Sequence, residues 1–291
     1  MIFFFYFIFS LADYMADEVW VEIKENKKII HAVGNLTFKE ENFETLADSA
    51  ILFESESIDS AYLFKNVRIS SKKLNIFCSK AFFDFIKQYA ILHGNVKIEN
   101  DTFLIETERV FYSSKKDSAF TDKEVSIKDK VKNLKIKGLG MIYLISKKYG
   151  KIDSLIQLDI EEKEDTIKIK GKKLIIFEKS FYVKENVKIK SKDFFAQCDT
   201  LTWESDRITL YGHKPKIKTN DSFLEASLIE ILLKDKKLSK IISERESFLK
   251  ALIEKKDTLF LFSDFLEIFL DDSLKIEKVT AFKNIEGKIK R

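Results

Sequence analysis

Three histidines (His31, His93, His213), two cysteines (Cys78, Cys198) and a few adjacent acids are the residues from which a reactive site would be assembled. Their spacing argues against one. The chain contains no His-x-x-x-His, no Cys-x-x-Cys and no Gly-x-Ser-x-Gly, so neither a zinc site nor an activated nucleophile has its usual sequence frame. Paired carboxylates at Asp271-Asp272 and Glu161-Glu162 are the residue type that glycoside hydrolysis uses. Both pairs fall where the pattern predicts hairpin tips, and solvation accounts for them. The expectation is a protein with no catalytic residues, no metal and no cofactor.

The elements that would carry any site are strands. Phe (27) and Tyr (9) are abundant, hydrophobic residues make up 45% of 291, and Ile and Val alternate with Lys and Glu, as in Val187-Lys188-Ile189-Lys190. Such alternation gives one wet and one apolar face. With one Pro and eight Gly, turns must come from Lys, Asn, Asp and Ser, and a Gly-rich phosphate loop is excluded. Charged residues reach 34%, yet net charge is only +4, so acids and bases are interleaved and no strong field for nucleic acid arises. Ile2 to Phe9 is an apolar run followed by Ser10-Leu11-Ala12. It is too short to span a bilayer as a helix and fits a signal peptide over 1–12 cleaved after Ala12, with a buried first strand as the alternative.

The chain repeats. Asn35-Leu36, Asn66-Val67, Asn95-Val96, Glu124-Val125, Asn186-Val187 and Asn284-Ile285 share one phase; Asp159-Ile160, Lys214-Pro215 and Glu246-Ser247 follow it less faithfully, at intervals of 27 to 38 residues. Between these anchors lies a second pattern: apolar, any, small, two of any kind, apolar, any, large apolar. Cys78, Thr107, Gly138, Gly171, Cys198, Ala226 and Ser263 hold the small position, with Asp48 the exception. The eight flanking sets begin at Leu46, Ile76, Ile105, Ile136, Ile169, Ala196, Leu224 and Leu261. Steps of two keep side chains on one face, and the step of three in the middle shifts the phase, which implies a bulge or bend at the small residue. A bend at the same place in every repeat folds a strand stack into two facing sheets. The predicted class is all-β: an open two-sheet β-jellyroll or solenoid of about 16–18 antiparallel strands from ~30-residue repeats, with 13–291 as a single domain. Cys78 and Cys198 occupy the same phase four units apart, at least about 19 Å, and are expected to stay unpaired. Leu238, Ile241, Ile242, Phe248, Leu249, Leu252 and Ile253 also fit helical spacing, so an inserted helix near 238–255 is the local alternative.

The phrase Ala90-Ile91-Leu92-His93-Gly94-Asn95-Val96-Lys97-Ile98, with Val33-Gly34-Asn35-Leu36 and Glu185-Asn186-Val187-Lys188-Ile189 and the small-x-x-apolar-x-aromatic pattern, resembles the OstA-like family of periplasmic lipopolysaccharide-transport proteins. The likeness runs from about 29 to 290 and rests on repetition, since one Gly-Asn-Val carries no information. The resemblance implies a V-shaped stack that cradles acyl chains, no catalysis and no cofactor, periplasmic residence, and joining of transport modules edge to edge. Its expected partners are lipopolysaccharide or a related glycolipid, other OstA-like components by edge-strand addition, and further copies of the chain head to tail, with no nucleic acid.

Candidate lipid contacts are the inner-face residues Ile76, Phe83, Ile105, Tyr112, Ile136, Tyr143, Ile169, Ile176 and Trp203. The competing expectation is that they pack against one another in a closed core. Lys97, Lys188 and Lys190 are candidates for lipid phosphates at a cavity mouth, although alternation points them outward. A self-assembling structural β-solenoid is the second functional reading, and a polysaccharide-active β-helix the third.

Overall fold

The computed structural model describes residues 13–24, 27–40, 43–55, 58–72, 74–131, 133–161, 166–234, 237–253, 257–271 and 275–290. The expected signal peptide, and Glu162 and Asp272 of the two acid pairs, lie outside them. Among the described residues no helix forms, and every regular element is a strand. The chain divides into two compact units, Met1–Ile152 and Asp153–Arg291.

The first unit holds β1 (Asp13–Met15), β2 (Glu18–Lys24), β3 (Lys27–Glu40), β4 (Phe43–Glu54), β5 (Ile58–Ser71), β6 (Asn75–Asp84), β7 (Tyr89–Glu99), β8 (Phe103–Ser113), β9 (Ser118–Asp129) and β10 (Leu134–Leu144), and ends within β11 (Tyr149–Glu161). The second continues with β12 (Thr166–Gly171), β13 (Lys173–Ile176), β14 (Ser180–Lys190), β15 (Phe194–Glu204), β16 (Arg207–Tyr211), β17 (Lys216–Thr219), β18 (Ser222–Glu225), β19 (Leu228–Lys234), β20 (Lys237–Ile253), β21 (Asp257–Leu270), β22 (Ile276–Phe282) and β23 (Glu286–Lys290). Five pairs (β1/β2, β12/β13, β16/β17, β18/β19, β22/β23) are the two arms of one bent strand, so the 23 strands make eighteen runs, each antiparallel to the next in the registers found. The span considered for a helix, 238–255, lies mostly in strand β20, paired with β19 and β21. Its alternating apolar residues face strands on both sides, and that pairing overrides the helical spacing.

The ladder slips by extra residues at corners between Val33 and Leu36, Phe64 and Val67, His93 and Val96, Lys184 and Val187, and Glu244 and Ser247. Two successive residues there take left-handed φ: Gly34 and Asn35 (79° and 49°), Lys65 and Asn66 (59° and 48°), Gly94 and Asn95 (81° and 49°). Asn adopts this region at low cost because its short side chain bonds locally, which explains its recurrence at the anchors. Here its partner is an acid on the neighbouring strand. Asn35 Nδ2 donates to Asp17 Oδ2 (3.0 Å), Asn66 Nδ2 to both Asp48 oxygens (3.1 Å) and Asn284 Nδ2 to Asp264 Oδ2 (2.7 Å).

Two expectations shift at these corners. Asp48 is the clamp for Asn66 and faces out; the inward set in β4 is Thr45, Ala47, Ala50 and Leu52, one residue away from Leu46, Asp48, Ile51 and Phe53. In β11 the left-handed residue is Leu155 (φ 52°), four residues before Asp159, which sits in regular ladder opposite Lys168.

Between corners, inward residues align across strands into rows. In the first arm of unit 1 the row runs Ile30, Leu52, Ala61, Phe83, Ala90, Tyr112, Ala119, Tyr143. Alanine separates each ring from the next, so large side chains have room on one strand because the neighbour is small. The second arm carries Ile69, Ile76, Ile98, Ile105, Ile127 and Ile136 in register. Buried residues of both arms belong to one core cluster, which places the two sheets of unit 1 face to face. Cys78 and Cys198 are buried and free, one in each unit, and burial pushes both thiols up to about 12.

Candidate functional site

The nine inner-face candidates fall into four rows. Phe83, Tyr112 and Tyr143 share the first-arm row of unit 1, and Ile76, Ile105 and Ile136 the second-arm row. In unit 2, Ile176 and Trp203 flank Phe181 in register, with Phe181 and Trp203 rings 5.6 Å apart, while Ile169 lies between Leu158 and Ile189. Ile76, Phe83, Tyr112, Ile136 and Ile169 are buried; Ile105, Tyr143, Ile176 and Trp203 are half-buried. All nine are inward by register, and none lies on the outer face.

The inner face of unit 1 is packed shut along most of its length, with Phe83 at 2% exposure and Leu52, Ala61 and Leu63 fully buried. A small cavity of about 80 Å³ opens at the free margin of the first arm, lined by Phe83, Asp84, Phe85, Gln88, Tyr89, Ala90, Tyr112 and Ser114. Two sequence-predicted residues, Phe83 and Tyr112, thus form its apolar floor. Burial, and then the Asp117 charge, raise the Tyr112 phenol above its ordinary value, so it stays neutral there.

At the first strands of the stack the inner face is open. Val19 and Val21 of β2 stand opposite Ala32 and Ile30, which are buried, yet Val21 is 51% exposed and Ile23 76%. Among the described residues β2 has a single strand neighbour, β3. The last arm, β23, pairs with β21, and its Ile289, opposite Leu259, is likewise exposed.

The lysines singled out from sequence face outward. Lys188 alternates with buried Val187 and Ile189, Lys190 with Ile189 and Ser191, and Lys97 pairs with Glu99 (3.1 Å) and lies over the Phe77 ring. His31 stacks under Trp20 on the outer face (4.9 Å, 3°), and His213 donates its backbone N–H to Asp199 Oδ2 (2.6 Å) as part of a corner. Among the described residues no group of three or more His, Cys, Asp or Glu is placed to hold a metal ion.

Sequence reasoning missed a second feature of unit 1, an outward row in register: Trp20, His31, Ile51, Tyr62, Phe82, Ile91, Phe111, Phe120, Ile142. Tyr62 and Phe82 rings are 4.4 Å apart, Phe111 and Phe120 4.6 Å and stacked. The signal was present as apolar residues at both parities of β4, β6 and β8.

Residues 14–137 match the family described as OstA-like protein. No curated protein matches the chain. Among solved structures it is similar to LptH of Pseudomonas aeruginosa, described as the LptA homologous periplasmic component of the conserved lipopolysaccharide transport device. Identity is 10% and the TM-score 0.21, over 45% of this chain and 76% of that one.

Proposed function

With residues 14–137 OstA-like in sequence, we propose that the chain is a non-enzymatic periplasmic lipid-binding protein that binds lipopolysaccharide or a related glycolipid and passes it towards the outer membrane. In this reading the segment 1–12 is a signal peptide cleaved after Ala12, and 13–291 works as one repeat domain. The carrying observation is the inner face, apolar on strand after strand and left uncovered at β2 and β23. Acyl chains need a long apolar surface, and a neighbouring module needs an unpaired edge in register with it. Ile76, Phe83, Ile105, Tyr112, Ile136, Tyr143, Ile169, Ile176 and Trp203 are the contacts assigned to lipid. Because Phe83 and its neighbours are buried, loading parts the two sheets of unit 1 from the margin where the cavity already lies.

A photoreactive residue at Phe83, Tyr112 or Trp203, with Lys188 as the outward control, tests this against lipopolysaccharide. Adducts at the three inward positions and none at Lys188 are expected. The packed interior of unit 1 favours one competing reading, a self-assembling β-solenoid with a dry core. Absence of adducts at all three sites in folded protein, together with growth of assemblies on raising concentration, would establish that alternative.

A further inference from the structure

The cavity margin carries a regular basic device. Three successive hairpin tips, Phe85–Gln88, Ser114–Asp117 and 145–148, are built alike, each ending in a left-handed residue: Gln88 (φ 60°), Asp117 (48°) and Lys148 (47°). They are hydrogen-bonded into a ladder, with Ser114 N–H donating to Gln88 O (3.1 Å) and Ile145 N–H to Asp117 O (3.0 Å). The third residue of each tip is a lysine, Lys87, Lys116 and Lys147, and Lys115 and Lys148 add two more. All five are exposed. Two strands separate successive tips, so equivalent lysines recur at about 10 Å.

The acids at these tips are tied into the turns. Asp84 Oδ1 accepts the Lys87 backbone N–H (2.7 Å), its Oδ2 lies 3.6 Å from Lys87 Nζ, and Asp117 Oδ2 accepts the Ser146 N–H (2.7 Å). Asp59 joins the same ladder on the other side, its backbone O accepting the Phe85 N–H (2.9 Å) and its carboxylate the Ser55 hydroxyl (2.7 Å), so five lysines stand against three acids and the margin is cationic beside an opening lined by Phe83 and Tyr112 and flanked by the first two tips. Of the described tips of unit 2 in the matching position, one carries Glu178 with Lys179 and another Ser205 with Asp206, so neither repeats the run of lysines; the tip at 235–236 lies outside the described residues.

We propose that this lysine comb is a headgroup subsite: it binds the phosphate of an anionic lipid whose acyl portion enters between the sheets at Phe83 and Tyr112. The inference rests on the lipid-binding reading and adds the charge class of the ligand and the side from which it enters. Cations on short, ordered tips beside an apolar slot match an amphiphile with an anionic end, whereas a free anion would have no use for the slot.

The test compares the full chain with a variant carrying Lys87→Gln, Lys115→Gln, Lys116→Gln, Lys147→Gln and Lys148→Gln, and with a control carrying Lys168→Gln, Lys170→Gln and Lys188→Gln on the outer face of unit 2. Probes are dioctanoyl phosphatidic acid, dioctanoylglycerol and inorganic phosphate. The tip variant should lose about tenfold in affinity for phosphatidic acid, from several exposed charge pairs acting together, and keep its affinity for dioctanoylglycerol. The control should bind all probes as the parent does. Equal binding of both lipids by parent and tip variant would overturn the headgroup subsite while leaving lipid binding intact. Failure of the parent to bind either lipid would remove the lipid reading and the subsite with it. Inorganic phosphate binding as tightly as phosphatidic acid, with the same dependence on the tips, would make this a free-anion site and overturn the proposal.

Discussion

The two units use one bent-strand frame and dress its outside differently. In unit 1 the outward row of the first arm is aromatic and aliphatic, from Trp20 through Tyr62 and Phe82 to Phe120 and Ile142. The equivalent row in unit 2 reads Ile175, Tyr182, Thr202, Thr209, Glu230, Ile242, Glu267, Thr280. The inner rows are apolar in both. Alternation therefore announces the inner face in unit 2 from Thr202 onward, where the other parity is polar apart from Ile242, and fails to in unit 1, where both parities are apolar. In β4 the outward Ile51 and Phe53 are larger than the inward Ala47 and Ala50, so there hydrophobicity alone points to the wrong face.

The sharpest way to break the likeness between units is to empty equivalent core positions. Phe83→Ala should cost about 3–5 kcal/mol, because a fully buried ring between two alanines leaves a cavity its neighbours cannot fill. Trp203→Ala, half-buried in unit 2, should cost about half as much in urea titrations. At the corners, Asn66→Ala should cost about 1–2 kcal/mol through the lost Asp48 bond and a poorer left-handed residue. The reverse change is available in β11: Leu155 is 77% exposed at φ 52°, so Leu155→Asn should raise stability by about 0.5–1 kcal/mol. A fall in melting temperature for that variant would contradict the account of the corner.

The smallest effect lies on the unit 1 surface. The hydrogen bond from Arg109 to Asp122 (2.6 Å) holds that carboxyl below its ordinary 3.8. A depressed folded-state pKa contributes stability that is present above the ordinary value and lost as pH falls through the lowered one. Arg109→Gln should therefore flatten the acid limb of a stability–pH curve below about pH 3.8 and change little at neutral pH, the pair being exposed. An unchanged acid limb would remove the ion pair from the account.

Much of the fold was legible because the repeat states the same instruction many times. The small position marks the bend in seven of the eight patterns, the spacing of Cys78 and Cys198 excluded a disulfide, and the expected 16–18 strands match the eighteen runs. Legibility failed where one residue had two roles. Asp48 read as a defective small residue because its clamp on Asn66 depends on a partner 18 positions away. Leu155, like Arg245 and Glu246, is neither the Asn nor the Gly found at most of the other corners. At the site, all nine candidates lie on the inner face by register, while the lysines of the tips went unnoticed. Individually they look like ordinary turn residues, and only the ladder from Gln88 to Ser114 and from Asp117 to Ile145 brings them into line.

The placement of one buried thiol in each unit has a kinetic consequence. With both sulfurs held as neutral thiols well above neutral pH, a modifying reagent reacts only when the strands around Cys78 or Cys198 separate. Each half of the chain therefore contains its own clock. If ligand entry parts only the first stack, the Cys78 clock will run faster than the Cys198 clock when lipid is added, and global unfolding will speed both together.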